Sequence, residues 1–485
     1  MNEDVDVGKD MKIVFVSLFR PGLGGGGGRV AHELAYHFSL EHDVAMICPA
    51  DKTGFDTQEN GLSIFGIRSA GDDEFQMPDL SARSVREIFS FLDEYQPDII
   101  HAHDPALIGL IGQVWARMNL VPFVHTAHIL PSKALDFGTT DALNVGLLKS
   151  SLSGSFIHSV LNNFYLNCDA LIALNQAALD SIRELGYEGE IFVVPNGRDL
   201  KHYGCCRNAD NSVDQKILVF IGFINKRKNQ SYLLKMLKEL PANYVLRLIG
   251  KPLNPDYLQE LEEYCSKNGL KNVDFIGQIE HDQIPDHLEG AHVFSSASIM
   301  EVQSLVVIEA LASGTPVVGL SNETIDELIN DEVGAWLARD KEPVDFAKEI
   351  ERICNLPEED YQTMCETARK RVKHLDWSNI VKSTADAYRE ILKTKPTISE
   401  NENDMLTSLV SFLTMGDVKD YLLNVIEETR QRQGAESGLL PLIKIPSPIK
   451  TWIRVPSSTW FISGVTVLVS VIGYLFMKGQ GKGRK

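Results

Sequence analysis

The sequence predicts an α/β chain built from two successive doubly wound halves, with a transmembrane helix at the C-terminal end. Three observations carry that reading. At 485 residues the chain exceeds what one hydrophobic core supports and suits two domains of ordinary size. Short apolar strands alternate with helical stretches, and this pattern runs its course twice. Near the C-terminal end, Trp460 to Met477 is eighteen residues without a charge.

In the first half, Lys12-Ile-Val-Phe-Val-Ser-Leu is a β-branched run followed by Arg20-Pro-Gly and five glycines, Gly24 to Gly28. A helical pattern starts near Arg29 and runs to about Leu40. Val44-Ala-Met-Ile-Cys, Asp98-Ile-Ile-His-Ala-His, Val121-Pro-Phe-Val-His-Thr, Ala170-Leu-Ile-Ala-Leu and Ile191-Phe-Val-Val-Pro are further strands. A helix over 106–118 lies among them. The polar, aperiodic stretch Arg207 to Asp214 marks the boundary, giving domains 1–208 and 209–376.

After it the pattern restarts with Lys216-Ile-Leu-Val-Phe-Ile-Gly, a helix from about Gln230, Tyr244-Val-Leu-Arg-Leu-Ile-Gly and a helix over 255–268. Val273-Asp-Phe-Ile-Gly, a helix over 283–289, Ala291-His-Val-Phe-Ser-Ser and Thr315-Pro-Val-Val-Gly follow. Residues 377–395 form a further helix, with Trp377, Ile380, Ala385, Tyr388 and Ile391 spaced for one face. Residues 396–458 are acidic, with a helix at 417–431, and then become a Pro-rich basic linker from 441.

The charge is unevenly shared. Lys and Arg number 47 against 66 Asp and Glu, a balance of −19. Residues 441–485 hold seven basic residues and no acidic one, leaving −26 in the rest. Such a body repels a phosphate backbone, which argues against nucleic acid as a partner. As a helix, the uncharged run would span roughly 27 Å, enough for a bilayer core. Trp460 and Tyr474 would sit at its interfaces and the basic tail 478–485 would follow. The N-terminal residues are acidic and polar, unlike a signal peptide, so the expectation is a single-pass anchor at 459–477 with the large domains facing the cytoplasm. Seven cysteines, without a C-x-x-C, read as reduced thiols. Asn229-Gln-Ser and Asn322-Glu-Thr match a glycosylation pattern by chance if these domains never enter a secretory lumen.

Two segments suggest chemistry. Glycines between a strand and a helix let a ligand approach the backbone, and the helix N-terminus favours an anion. In Ser304-Leu-Val-Val-Ile-Glu-Ala-Leu-Ala-Ser-Gly-Thr-Pro, Ser304 is placed to cap a helix that Gly314 ends. Glu309 lies inside that apolar helix and Glu301 in the loop ahead of it. A carboxylate there needs hydrogen-bond donors, which sugar and ribose hydroxyls supply; a surface Glu paired with a basic neighbour is the plainer reading. His101, His103, Asp104, His125 and His128 invite a zinc site, but they lie where polar residues line any α/β crevice, and no metal is expected.

The stretch from Ser298 through Glu301 and, seven residues on, Glu309-Ala-Leu-Ala-Ser-Gly-Thr-Pro resembles the paired-glutamate signature of the family-4 retaining glycosyltransferases of GT-B fold. Glu301-Val-Gln-Ser-Leu-Val-Val-Ile-Glu-Ala is most similar to the branch that glucosylates diacylglycerol. The glycine run, Pro122-Phe-Val-His-Thr-Ala-His, Val194-Pro-Asn-Gly, Phe220-Ile-Gly and Phe275-Ile-Gly-Gln-Ile stand in family order over roughly residues 12–395.

The resemblance implies two Rossmann-like domains, an N-terminal one for the acceptor and a C-terminal one for the donor. The helix from Trp377 would cross back to the first domain. It also implies roles: Gly25 and Gly26 facing the donor phosphates and acceptor, His128 beside the transferred sugar, and Lys228 on the diphosphate. Glu301 would hold the sugar and Glu309 the ribose, with Arg227, Ile279, Ser304 and Leu305 completing the donor site. One position departs from the family: Phe223 stands where an arginine usually follows the glycine, and Arg227 is near enough in sequence to replace it.

The expected activity is metal-independent hexosyl transfer with retention, from a nucleotide-diphosphate sugar to a membrane lipid, with no separate cofactor. A polyprenyl-phosphate or glycoprotein-precursor acceptor, or a non-catalytic subunit holding a partner at the membrane, are the rival readings.

Overall fold

The computed structural model describes residues 11–21, 25–57, 62–71, 76–78, 82–105, 107–130, 161–204, 215–394 and 396. The expected boundary at 207–214, the helix at 417–431, the anchor at 459–477 and the basic tail lie outside them. Among the described residues no helix is long and apolar enough to cross a membrane.

The strands form two sheets. The first is built from β1 (Lys12–Val16), β2 (Asp43–Ala50), β3 (Gly54–Thr57), β4 (Ser63–Gly71), β5 (Gln76–Pro78), β6 (Ile99–Ala102), β7 (Phe123–Thr126), β8 (Ala170–Ala173) and β9 (Glu190–Val193). Their order is β3-β4-β2-β1-β6-β7-β8-β9, with β5 on β4. The second holds β10 (Lys216–Ile221), β11 (Tyr244–Ile249), β12 (Val273–Gly277), β13 (Val293–Ser296), β14 (Val317–Leu320) and β15 (Gly334–Leu337), in the order β12-β11-β10-β13-β14-β15.

The central strands are parallel and buried on both faces, which is why they read as unbroken apolar runs: Ile13, Val14, Phe15 and Val16 are each at most 1% exposed. Two edge strands depart from the expected parallel pattern, since β3 and β5 run antiparallel to β4. They are joined to β4 by short connections, which permit a hairpin but not a crossover.

In each sheet the strand order reverses beside the first strand, between β1 and β6 and between β10 and β13. Ligands of α/β sheets bind outside the carboxyl ends of the strands at such a reversal. Asp104, after β6, ties the first pair of ends together by accepting from the Leu18 N–H (2.8 Å) and the Ser17 hydroxyl (3.2 Å). In the second sheet Gly250 must lack a side chain: a Cβ there would lie 2.0 Å from the Gly222 carbonyl oxygen, and its φ is +142°.

The Trp377–Lys393 helix starts on an Asp376 cap and packs on the first domain. The Trp377 ring lies 5.1 Å from His37 and over Gly197, where a Cβ would meet it at 2.2 Å. The Tyr388 ring lies tilted against Phe38 at 5.4 Å and its hydroxyl bonds His101 Nδ1 at 2.5 Å. One continuous apolar core consequently runs from Ile13 and Phe15 through Tyr388 and Trp377 to Ile308 and Leu311 in the second half.

Candidate active site

The segments after β1, β7, β10, β12 and β13 carry the expected residues. After β10, Asn225 caps a short 3-10 turn, Lys226–Lys228, by accepting from the Lys228 N–H. That turn aims Lys228 Nζ at Glu301 Oε1, with which it forms an ion pair. Arg227 joins them: its Nη1 lies 3.9 Å from Glu301 Oε2 and donates to the Met300 carbonyl at 3.2 Å. Burial alone would raise the Glu301 pKa, but Lys228 and Arg227 outweigh it and hold the carboxyl below its usual range. The site is a buried carboxylate with two cations, so it carries a net positive charge. Phe223 is half-buried and takes no part in that cluster.

The helix Leu305–Ser313 opens on this cluster. Ser304 holds the N-cap position with extended backbone, but its hydroxyl bonds none of the helix N–H groups, contrary to the expected cap. Instead its backbone N–H donates to Thr324 Oγ1 at 2.8 Å, which fixes the entry to the helix from its neighbour. Asn322, in the pattern read as a chance glycosylation match, is 1% exposed and spends its amide on the adjacent helix cap.

The glycine run also differs from expectation. Its residues from Gly25 onward are not loop but the first turn of the Gly25–Ser39 helix. A helix's first N–H groups have no partner within the helix, so the turn keeps its anion-binding character. Gly26 meets the second domain directly: a Cβ there would stand 3.4 Å from Leu305. Gly27 packs on His128, whose ring carbon would be 3.6 Å from such a Cβ. His128 follows β7, and its Nε2 lies 2.9 Å from His103 Nδ1 with the rings stacked. Burial pulls the His128 pKa down to about 4, so it is neutral at pH 7.

The other histidines do not converge on a metal. His101 is held by Tyr388 and by Thr126 Oγ1 (2.7 Å), and His125 by the Ala102 carbonyl (2.9 Å). Among the described residues no group of His, Cys, Asp and Glu is placed to hold a metal ion.

Glu309 is 1% exposed and forms the centre of a network that the sequence did not reveal. Its Oε1 accepts from Arg198 Nε at 2.6 Å, from Arg198 Nη2, and lies 3.1 Å from His281 Nε2. Arg198 also reaches Glu33 Oε2 at 2.9 Å. Burial works against the Glu309 carboxylate, but Arg198 and His281 overcome it and lower the pKa. Glu309 Oε2 is buried without a close hydrogen-bond partner, beside Tyr203. Arg198 and Glu33 belong to the first half, Glu309 and His281 to the second, so this network crosses between the domains. The loop bearing Glu301 is clamped in the same way: Asn175 Nδ2 donates to the Val302 carbonyl (2.8 Å), and Gln303 Oε1 accepts from the Asn196 N–H (2.6 Å). Ile279 is partly buried against the shared core beside this network.

Two Rossmann-like domains facing a cleft, with cations, a neutral histidine and paired glutamates at the facing strand ends, define a GT-B glycosyltransferase. Comparison with known families agrees: residues 24–202 match the model described as Glycosyltransferase Family 4, and residues 207–371 the model described as Glycosyl transferases group 1. The chain belongs to the family-4 glycosyltransferases of GT-B fold.

Among similar proteins is alpha-monoglucosyldiacylglycerol synthase of Streptococcus pneumoniae, 25% identical over 52% of this chain and 58% of that protein. The synthase of the same name from Acholeplasma laidlawii is 23% identical over 60% of this chain and 76% of its own. A solved structure of Anabaena HepE in complex with UDP-glucose superposes with a TM-score of 0.61 at 19% identity, covering 78% of this chain and 100% of HepE.

Proposed function

We propose that the enzyme moves a sugar from a nucleotide-diphosphate donor to a membrane lipid, with retention at the anomeric carbon. The observation that carries the reading is the Arg227–Lys228–Glu301 cluster at the start of the Leu305–Ser313 helix, opposite His128 and Gly26. The donor diphosphate would lie against Lys228, Arg227 and the helix N-terminus, whose fixed positive charge stabilises the departing phosphate. Glu301 would take sugar hydroxyls and Glu309 a ribose hydroxyl. In a front-face substitution the bond from the anomeric carbon to the diphosphate breaks while the acceptor oxygen bonds the same face. The acceptor proton passes to the departing phosphate oxygen, so no enzymic nucleophile is required.

Two things favour a lipid acceptor: the similar synthases named for diacylglycerol, and the uncharged segment 459–477 with its basic flanks. A membrane anchor raises the effective concentration of the enzyme beside such an acceptor. On this reading the anchor spans once and leaves the domains on the cytoplasmic side.

The test is a screen of nucleotide sugars against extracted membrane lipids, read by product mass and anomeric configuration. A glycolipid of retained configuration is expected, and Lys228→Ala should lower its rate by roughly 10²–10³-fold. Turnover on lipid that survives Lys228→Ala would sink the proposed donor geometry, and an inverted product would sink the mechanism.

A further inference from the structure

An open cavity of about 500 Å³ lies where the Leu200–His202 turn, the end of the Glu358–Val372 helix and the start of the Trp377–Lys393 helix meet. It shares no residue with the Lys228–Glu301 cluster. Its size suits a small ligand. Lys201, Arg369, Lys370 and Lys373 line it, against a single carboxylate, Asp376. That carboxylate is engaged in capping, since Asp376 Oδ1 accepts from the Ser378 N–H (3.1 Å) and hydroxyl (2.7 Å). The Lys370 ammonium has only Glu366 at 3.8 Å, an exposed pair of little worth. Arg369 Nη1 is buried without a hydrogen-bond partner, its guanidinium lying against Gly314 at the end of the helix that carries Glu309. Lys201, Lys370 and Lys373 are exposed, and with Arg369 they give this concavity a local positive charge in a chain of net charge −19.

We propose that this cavity binds a phosphate-bearing ligand, at a site separate from the donor cleft and walled by segments of both halves. The phosphate would sit among Lys201, Lys373 and Arg369, and its organic part against Leu200, Tyr203 and Ala312. A soluble phosphate ester and the headgroup of an anionic lipid share this chemistry.

The test uses the full-length protein and three probes in thermal-shift titrations: inorganic phosphate, glycerol 3-phosphate and short-chain dihexanoyl phosphatidylglycerol. The variant is Lys201→Ala/Lys373→Ala, whose two side chains are exposed. At least one probe should raise the melting temperature of the wild type, with an affinity about tenfold weaker in the variant and restored in Lys201→Arg/Lys373→Arg. A response to the lipid alone assigns a headgroup, and a response to the soluble esters assigns a soluble ligand. No response to any probe, or one unchanged in the alanine variant, overturns the site. Stabilisation by a nucleoside diphosphate should persist in the variant, so a failure of the proposed donor site is read separately.

Discussion

Replacing Arg198 by leucine tests whether the cross-domain network holds the molecule together. The guanidinium is 3% exposed and serves two carboxylates, and these differ in what its loss leaves behind. Glu33 has a quarter of its side chain in solvent and can be rehydrated, whereas the side chain of Glu309 is 1% exposed. The cost therefore falls on Glu309. Stranding a buried charge of this kind costs about 3–5 kcal/mol. At about 2–4 °C per kcal/mol for domains of this size, the melting temperature should fall by roughly 6–20 °C.

The deficit should also depend on pH. In the wild type Arg198 keeps the Glu309 pKa depressed, so its contribution is present above the unfolded carboxyl pKa and is lost as pH falls through the folded value. Without Arg198 burial dominates and the folded pKa rises. The ionised form is then penalised, and the penalty grows as pH climbs past the unfolded value. The gap between variant and wild type should be wide at pH 8 and narrow toward pH 5. Calorimetry on the wild type, Arg198→Leu, Glu309→Gln and the double variant closes a cycle, in which the double should recover more than about 1 kcal/mol over Arg198→Leu. A gap that does not change with pH, or a double variant no better than the single, refutes the assignment of the cost to Glu309.

Two other perturbations read local packing and charge. Gly197→Ala places a Cβ within 2.2 Å of the Trp377 ring, and should cost about 1–3 kcal/mol in chemical denaturation; Trp377→Leu in the same chain should restore part of the loss. A fully stable Gly197→Ala protein would mean the crossover helix is not seated there. Burial raises the Asp104 pKa to about 6, against the two hydrogen bonds that favour its charge. With the folded value above the unfolded one, its contribution is fully present in acid and is lost as pH rises through about 4 to 6. Asp104→Asn, measured by thermal unfolding across pH 4–8, should therefore gain on the wild type as pH rises, and a constant offset would count against the shift.

What the sequence made legible follows from how far each signal reaches along the chain. β1, β6, β10 and β13 are buried on both faces, so their composition alone marks them. β4 runs from Ser63 to Gly71 with Gly66 and Arg68 interrupting it, and its antiparallel neighbours are only three and four residues long. Such an edge has neither a continuous run nor a clean alternation. The helix Ala82–Tyr95 does carry a local signal, since Val85, Ile88, Phe89 and Leu92 share its buried face. Glu301 and Glu309 stand in a motif, which records a spacing within one domain, and Lys228 follows from the family resemblance. Arg198 had no such trace: its partners stand 165, 111 and 83 residues away in the chain, and a lone arginine after a turn carries no signal of burial. The structure supplies what local spacing cannot, a contact made only when two domains close.

The position of Phe223 puts that difference in chemical terms. Read along the chain, phenylalanine after Gly222 removes a cation where a diphosphate would need one. Read in space, Arg227 stands beside Glu301 four residues further on, together with Lys228. Charge at such a site is judged by distance, because beyond about 8 Å salt screens what lies outside the cleft. The acidic body is thus no obstacle to an anionic donor, provided the cations lie within that range. The −19 of the whole chain describes how it meets other macromolecules, while Arg227 and Lys228, two cations against one carboxylate, describe what enters the cleft. A family position can then lose its arginine without the site losing its charge, so long as the turn that follows β10 delivers another.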